Sequence, residues 1–265
     1  MIAQVNIQTV CRDGTSYLKE SYFTPPFRIT NITEDKQAGP LDLMLMNSSP
    51  GILDEDQYEI SIHIGEGSTL RLHTQSYQRL FNMKKGAAQT MEVRIEKEAS
   101  FTYLPHPSVP HDHADFTASN KIYLAENSQL TWGEVLTCGR KLNGEVFKFS
   151  RYHNITEIYK QDKLIIKENL LMQPALIDPS KLGQLEGFTH QGSLIFINDK
   201  CILTDKLDEL HEYLVTQEQI MFGVTSTAGK GILVRILGNG AERLHQLLQQ
   251  VAFLLQLKPV TEYVR

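Results

Sequence analysis

The chain has 265 residues, of which 41% are hydrophobic and 22% charged, a balance typical of an ordinary globular protein. Its formal net charge is −5 and its Lys and Arg residues are scattered, which argues against a nucleic-acid binder. No apolar run reaches the roughly 20 residues of a membrane helix, and the first ten residues lack the features of a signal peptide. We therefore expect one domain spanning residues 1–265, in the cytoplasm, with neither nucleic acid nor membrane as a partner.

The first notable segment is the corner "YFTPPF", residues 22–27. Pro25 and Pro26 donate no backbone hydrogen bonds and have a fixed φ, so they interrupt any strand or helix. Aromatic and proline clusters without convergent polar groups are usually buried. The corner is therefore predicted to pack rather than to contact a partner.

Three segments then share one pattern: "IHIGEGSTLRLHT" (62–74), "VRIEKEASFTYLP" (93–105) and "IYLAENSQLTWGE" (122–134). Each has β-forming residues, an acidic residue, a small turn residue, a serine and a second alternating run, which predicts strand, tight turn and strand. The shared serines are Ser68, Ser100 and Ser128. Units at nearly constant spacing that cannot bury their own apolar faces tend to stack.

Two hairpins and two helices follow along the chain. Asn143-Gly144 and Gln161-Asp162 separate alternating runs and predict hairpin turns. Apolar residues at helical spacing predict helices over 205–219 and 240–257, with a strand over 229–238 between them. The fold predicted is mainly β, with stacked or coiled strand layers similar to a β-helix and two α-helices in the C-terminal third.

A proline-rich loop, "PHPSVPHDHADF" (105–116), collects three histidines. In a strand, His111 and His113 would point to the same side and could together bind a divalent metal such as Zn²⁺, Ni²⁺ or Cu²⁺. Histidines in a polar loop are more often exposed and without a ligand, and no third ligand follows in sequence. His111 and His113 are therefore weak metal candidates, with His106 beside them.

Acidic residues in β-rich segments form the second group of candidates: Asp56, Glu134, Glu145 and Glu168. An acid in an apolar strand is costly unless it is paired or hydrated. One interpretation is a structural ion pair with Arg140 or Arg151. The other is a water-filled passage in which carboxylates serve as weak sites for a divalent cation.

The three cysteines, Cys11, Cys138 and Cys201, are too far apart and too few for a disulfide framework or a zinc motif. No nucleophile motif is present either. We expect no enzymatic activity. The rival hypothesis is a metal-dependent enzyme of β-barrel type with His111 and His113 as ligands and Glu134 or Glu145 as base.

Eight segments in order resemble the urease accessory protein family UreD, also called UreH. They are "YFTPPF" (22–27), "SPGIL" (49–53) leading to Asp56, "TQSYQRLF" (74–81), "LPHPSVPHDHADF" (104–116), "GEVLTCGRKLNGEVFKF" (133–149), "KENLL" (167–171), "EGFTH" (186–190) and "LVRILG" (233–238). The resemblance covers nearly the whole chain.

This resemblance implies a non-catalytic scaffold that binds apo-urease and the accessory proteins UreF and UreG, the latter a GTPase. It also implies a mainly β protein with two helices and no tightly bound cofactor, in which an internal tunnel is proposed to carry nickel transiently to the urease active site.

The family's site residues match this chain position by position. The acidic positions correspond to Asp56, Glu134 and Glu168, which the resemblance makes candidates for a transient nickel passage. Further motif positions are Pro25, Pro26, Gly51, Arg140 and Glu145. Ile52 and Glu55 stand where the family usually has glycines, and the histidines of the loop 105–116 are not part of the family pattern.

Overall fold

The computed structural model describes residues 1–35, 39–200, 203–227 and 229–256. Its strands are β1 (Ile2–Arg12), β2 (Thr15–Phe23), β3 (Phe27–Asn31), β4 (Leu41–Asn47), β5 (Gln57–Ile64), β6 (Thr69–Thr74), β7 (Gln78–Leu80), β8 (Ala87–Ile95), β9 (Ser100–Tyr103), β10 (Ser108–Pro110), β11 (Asp115–Leu124), β12 (Gln129–Leu136), β13 (Arg151–Lys160), β14 (Lys163–Met172), β15 (His190–Asn198), β16 (Met221–Thr227) and β17 (Gly231–Gly238). Its α-helices are α1 (Leu203–Val215) and α2 (Ala241–Gln256).

The strands form two open sheets. The first, sheet A, has the order β14-β13-β11-β8-β5-β1-β2, and the second, sheet B, has the order β16-β17-β15-β12-β9-β6-β4-β3, with β7 and β10 attached beside β12. A large apolar cluster contains buried side chains of both sheets, so the main core lies between them. This mainly β architecture confirms the predicted fold class.

The three repeated segments form the coil at the centre of the fold. Each begins in sheet A, as β5, β8 or β11, and turns into sheet B as β6, β9 or β12. The strands of successive coils run parallel, and Ile62, Val93 and Ile122 lie side by side. These parallel registers confirm the stacking predicted from the sequence pattern.

The turns of the three coils also stack, although the predicted serine alignment is wrong at one position. Ser68 and Ser128 are buried at equivalent places, whereas Ser100 pairs with Thr69 and lies one residue further on. The residue at the equivalent place is Ala99, also buried. The requirement at this position is therefore a small buried side chain, which both serine and alanine satisfy.

The two predicted hairpins have different outcomes. The turn at Gln161-Asp162 joins β13 to β14, and both residues have the positive φ of a two-residue hairpin turn. The hairpin at Asn143-Gly144 is wrong, because residues Lys141–Asn143 form one turn of 3-10 helix. Gly139, with φ of 114°, turns the chain out of the strand direction before the turn is reached.

The C-terminal third adds a helical layer to the outer face of sheet B. Both predicted helices are confirmed: α1 packs on β16 and β17, and α2 packs on β12, β15 and β17. A second apolar cluster lies between these helices and sheet B. The strand predicted over 229–238 is β17, whereas the edge strand β16 was not predicted. Residue 257 of the second predicted helix lies outside the described residues.

At the proline corner the predicted packing holds for one aromatic residue. Phe27 is 7% exposed and its ring meets that of Tyr58 edge-on, with centroids 4.8 Å apart. Tyr22 and Phe23 precede the prolines at the end of β2, and both are exposed. The corner therefore divides its aromatic side chains between the core and the surface.

Candidate functional site

A cavity of about 260 Å³ lies between the two sheets. One end is lined by the exposed residues Pro50, Gln75, Ser76 and Arg79 and therefore opens at the surface. These residues belong to the loops around 49–51 and 74–79, which connect strands at one end of the coil. These two loops, together with residues 105–106, form the cavity mouth.

Amide and hydroxyl groups continue from the mouth into the protein. The Gln78 side chain donates to Gln89 Oε1 at 3.0 Å, and Ser108 Oγ donates to Gln78 Oε1 at 3.0 Å. All three residues line the cavity. They present polar atoms between two layers that are otherwise apolar.

Glu134 also lines the cavity. Its Oε1 accepts from Trp132 Nε1 at 2.9 Å and from Thr156 Oγ1 at 3.4 Å, and its Oε2 accepts from Asn154 Nδ2. Asn154 and Thr156 are in turn held by Asn120 Nδ2, at 2.9 and 3.0 Å. The carboxyl group is therefore oriented by three donors on two strands of different sheets.

Burial raises the pKa of Glu134, and the nearby charge of Glu168 acts in the same direction. The hydrogen bonds from Trp132, Thr156 and Asn154 oppose this effect without cancelling it. The residue keeps some accessible surface because it faces the cavity. A carboxyl group in this state can release a proton when a cation arrives, since a nearby positive charge favours the ionised form.

Of the two interpretations offered for the acidic residues, the ion pair with Arg140 or Arg151 is wrong for Glu134, although Arg140 does pair with Glu145. Arg140 Nε donates to Glu145 Oε2 at 2.8 Å, and Arg151 Nε donates to Asp115 Oδ1 at 2.9 Å. Both arginines lie outside the cavity and have nearer carboxylates. Within the described part of the chain, no cationic side chain forms a salt bridge with Glu134.

Asp56 is buried next to the cavity without lining it. Its carboxylate accepts from the Leu53 N–H at 2.9 Å and from the Tyr58 hydroxyl at 3.4 Å, and it lies 3.3 Å from the Met1 amino group. Tyr58, which donates to Asp56, does line the cavity.

Glu168 lies on β14, at the edge of sheet A. It forms a salt bridge with Arg235 of β17, which links the two sheets. Glu168 is therefore ion-paired, but with a different arginine from the two predicted. Of the three predicted acids, Glu134 alone lines the cavity, among the residues described.

His111 and His113 do not lie on the same side of a strand, contrary to the prediction. His111 follows β10, is 6% exposed and packs on the ring of Phe81 with centroids 4.7 Å apart. His113 has φ of 57° and an exposed side chain near Asp112. The left-handed conformation at His113 breaks the two-residue alternation on which the prediction rested.

The rival hypothesis of a metal-dependent β-barrel enzyme does not fit this structure. The two sheets do not close into a barrel. No three His, Cys, Asp or Glu side chains in the described ranges are arranged to hold a metal ion. Glu134 and Glu145, the two bases considered, are separately engaged with Trp132 and Arg140.

The remaining motif residues shape the loops around the cavity. Gly51 lies against the backbone of the mouth loop, where a Cβ atom would be 2.4 Å from Arg79 O. The Arg140–Glu145 pair also holds the neighbouring loop, because Glu145 accepts from the Asp112 N–H at 3.2 Å. Pro25 and Pro26 precede Phe27, which lines the cavity. Cys11 and Cys138 are free thiols, and Cys201 lies outside the described residues.

Sequence reasoning missed Asn120, Asn154 and Thr156, which hold Glu134. The signal was present in the alternation of β11 and β13, whose inward residues are otherwise apolar, such as Phe116 and Ile158. A polar residue at an inward position of an alternating strand marks a polar site inside a core.

The fold and the cavity define a class of protein: a coiled two-sheet β protein with a partly polar cavity between its layers. Residues 1–262 match the family model "UreD urease accessory protein". The chain is 48% identical over 252 residues to the urease accessory protein UreD of Flavobacterium johnsoniae, covering 95% of this chain and 91% of that protein.

Two further relatives are less similar but equally extensive. The UreD protein of Acetivibrio thermocellus is 34% identical over 254 residues, covering 96% of this chain and 97% of that protein. That of Actinobacillus pleuropneumoniae serotype 3 is 31% identical over 250 residues, covering 92% and 93%. The chain therefore belongs to the UreD urease accessory protein family. Neither α1 nor α2 is long and apolar enough to cross a membrane, and the described part contains no other α-helix.

Proposed function

We propose that this chain is a non-catalytic urease maturation factor. It binds apo-urease and the accessory proteins UreF and UreG, and it supports nickel delivery to the urease active site through the cavity between its sheets. Family membership supports the role in urease maturation. The cytoplasmic location expected from the sequence stays a prediction.

The observation that carries the metal-transfer part is the placement of Glu134. Its carboxyl group is buried and has no cationic partner among the described residues. The cavity that it lines opens at the surface. A structural carboxylate at such a depth is normally neutralised by a cation. An acid that is oriented but unpaired is suited to interact with a cation that comes and goes.

The chemistry of the lining suits transfer rather than storage. Nickel prefers imidazole and thiolate ligands for tight binding, whereas amide, hydroxyl and carboxyl oxygens bind it weakly. Gln78, Gln89 and Ser108 supply such oxygens in the lining of the same cavity as Glu134. A passage of weak sites lets the ion enter and leave without being trapped.

Partner binding is supported by exposed apolar side chains outside the core. Leu142, Leu176 and Leu182 are 102%, 75% and 89% exposed and lie in the connections that follow β12 and β14. Exposed apolar patches are a feature of protein interfaces. These loops are the proposed contacts for the partner proteins.

The test is urease activation in cells that carry the urease structural and accessory genes with nickel supplied. Glu134→Gln keeps the shape of the side chain and removes its ionisable group, so we expect normal co-purification with the partners but little active urease. Glu20→Gln, on the exposed strand β2, is the matched control and should activate normally. Asp56 and Glu168 are unsuitable for this test because both hold structural contacts.

Normal urease activity with Glu134→Gln would refute the passage and favour a purely structural role in assembly. If deletion of the chain also leaves urease active, the maturation role itself is wrong. Loss of partner co-purification in the Glu134→Gln strain would instead assign Glu134 to assembly.

A further inference from the structure

A pair of histidine side chains meets at the cavity mouth. His106 lies in the loop between β9 and β10 and lines the cavity. His245 lies on α2 and is 5% exposed. Their ring centroids are 5.0 Å apart, with 36° between the ring planes. The 139 residues that separate them in sequence explain why no motif pointed to this pair.

We propose that His106 and His245 bind a divalent transition-metal ion at the cavity mouth. An imidazole nitrogen lies about 2.1 Å from a bound metal, so two rings on adjacent positions of one ion have centroids on the order of 5 Å apart. The observed spacing matches this requirement. Imidazole is a ligand that nickel, zinc and copper share.

The hydrogen bonds of both rings leave one nitrogen of each available. His245 Nε2 lies 3.3 Å from Leu104 O. A carbonyl oxygen only accepts, so Nε2 carries the proton and Nδ1 keeps its lone pair. His106 Nδ1 lies 3.0 Å from Thr74 Oγ1, which also accepts from the His106 backbone N–H at 2.9 Å. In the tautomer with the proton on Nδ1, the two lone pairs of Thr74 Oγ1 accept from both groups and His106 Nε2 is free. Metal-binding histidines generally use their other nitrogen in this way.

A carboxylate and a third imidazole lie close to this pair of rings. Glu242 and His73 are both near enough to His106 to interact with it electrostatically. Glu242 lies one helical turn before His245, and its carboxylate accepts from the Tyr77 hydroxyl of the mouth loop at 3.1 Å.

This site has two protein ligands, and water would complete the coordination. Two imidazoles bind more tightly than the oxygens of the passage but less tightly than a complete ligand set, which suits an entry point. The role of this site as an entry point for the metal rests on the proposed function. Metal binding by the two histidines, however, is tested without urease.

The experiment is a calorimetric titration of the untagged full chain with NiCl2 and separately with ZnCl2 at pH 7.5. We expect one site that His106→Gln and His245→Gln each weaken at least about tenfold. Thr74→Val removes the partner of His106 Nδ1 and is expected to weaken binding about 10- to 100-fold, as outer-shell changes do. His113→Gln removes an exposed imidazole elsewhere and should leave the isotherm unchanged.

An unchanged isotherm in His106→Gln would overturn the inference, and so would loss of the site in His113→Gln alone. If His245→Gln perturbs the fold of α2, the loop variant His106→Gln still decides the question. Glu134→Gln should keep this metal site. If the wild-type chain binds the metal and Glu134→Gln still activates urease normally, the passage alone is refuted. If the wild-type chain binds no metal and Glu134→Gln fails to activate urease, the entry site alone is refuted.

Discussion

Glu134→Gln should change how the stability of the protein depends on pH. Burial raises the pKa of Glu134 in the folded state above its unfolded value of about 4.3. Between these two values the folded state binds the proton more strongly. The stability of the wild-type protein therefore falls as the pH rises through this window. Glutamine has no proton to lose and does not contribute to this fall.

The size of the effect follows from linkage. Relative to the wild type, the variant should gain about 1.4 kcal/mol of unfolding free energy for each pH unit inside the window. Below about pH 4 both side chains are neutral and the difference should be constant. Any change in the hydrogen bonds to Trp132, Asn154 and Thr156 adds an offset that does not vary with pH. The slope of the free-energy difference against pH therefore reports the ionisation of Glu134 alone.

Urea unfolding at unit steps from pH 4 to pH 8 measures this slope, and Trp132, the single tryptophan of the chain, reports the transition. Glu20→Gln shows how much of any change comes from net charge alone. A difference between Glu134→Gln and wild type that stays constant from pH 4 to pH 8 would refute the reasoning. It would mean that the carboxyl group is as well solvated in the folded protein as in the unfolded chain.

Two further predictions concern packing at the cavity. Phe27→Ala should lower stability by about 3–5 kcal/mol, because the ring is buried against Tyr58, whereas Tyr22→Ala in the same corner should stay within about 0.5 kcal/mol. Thermal melting distinguishes them, and an unchanged melting temperature for Phe27→Ala would contradict its place in the core. Gly51→Ala should cost about 1–3 kcal/mol, because its Cβ would meet Arg79 O at 2.4 Å. Gly223→Ala, which meets no atom within 4 Å, is its control, and equal melting of the two would refute the close approach.

The sequence was sufficient to predict elements that are formed by residues close together in the chain. The coil was readable because each strand-turn-strand unit repeats one alternating pattern, and the stacking follows from apolar faces that a single unit cannot bury. The two helices were readable from their apolar spacing. The hairpin at Gln161-Asp162 was readable from its turn residues, whereas Asn143-Gly144 was misread because the conformation of Gly139 was not visible in the sequence.

The candidate site depended on contacts between distant residues. The sequence by itself singled out Glu134 as an acid in an apolar strand, and the family resemblance pointed to the same position. Its environment was decided only when β12 and β13 were brought face to face, which gave it Asn154 rather than an arginine. The same holds for His106 and His245, which meet only because α2 packs on the outer face of sheet B. Periodicity records which face of an element is buried, but the partners across that face are determined by the packing of the whole chain.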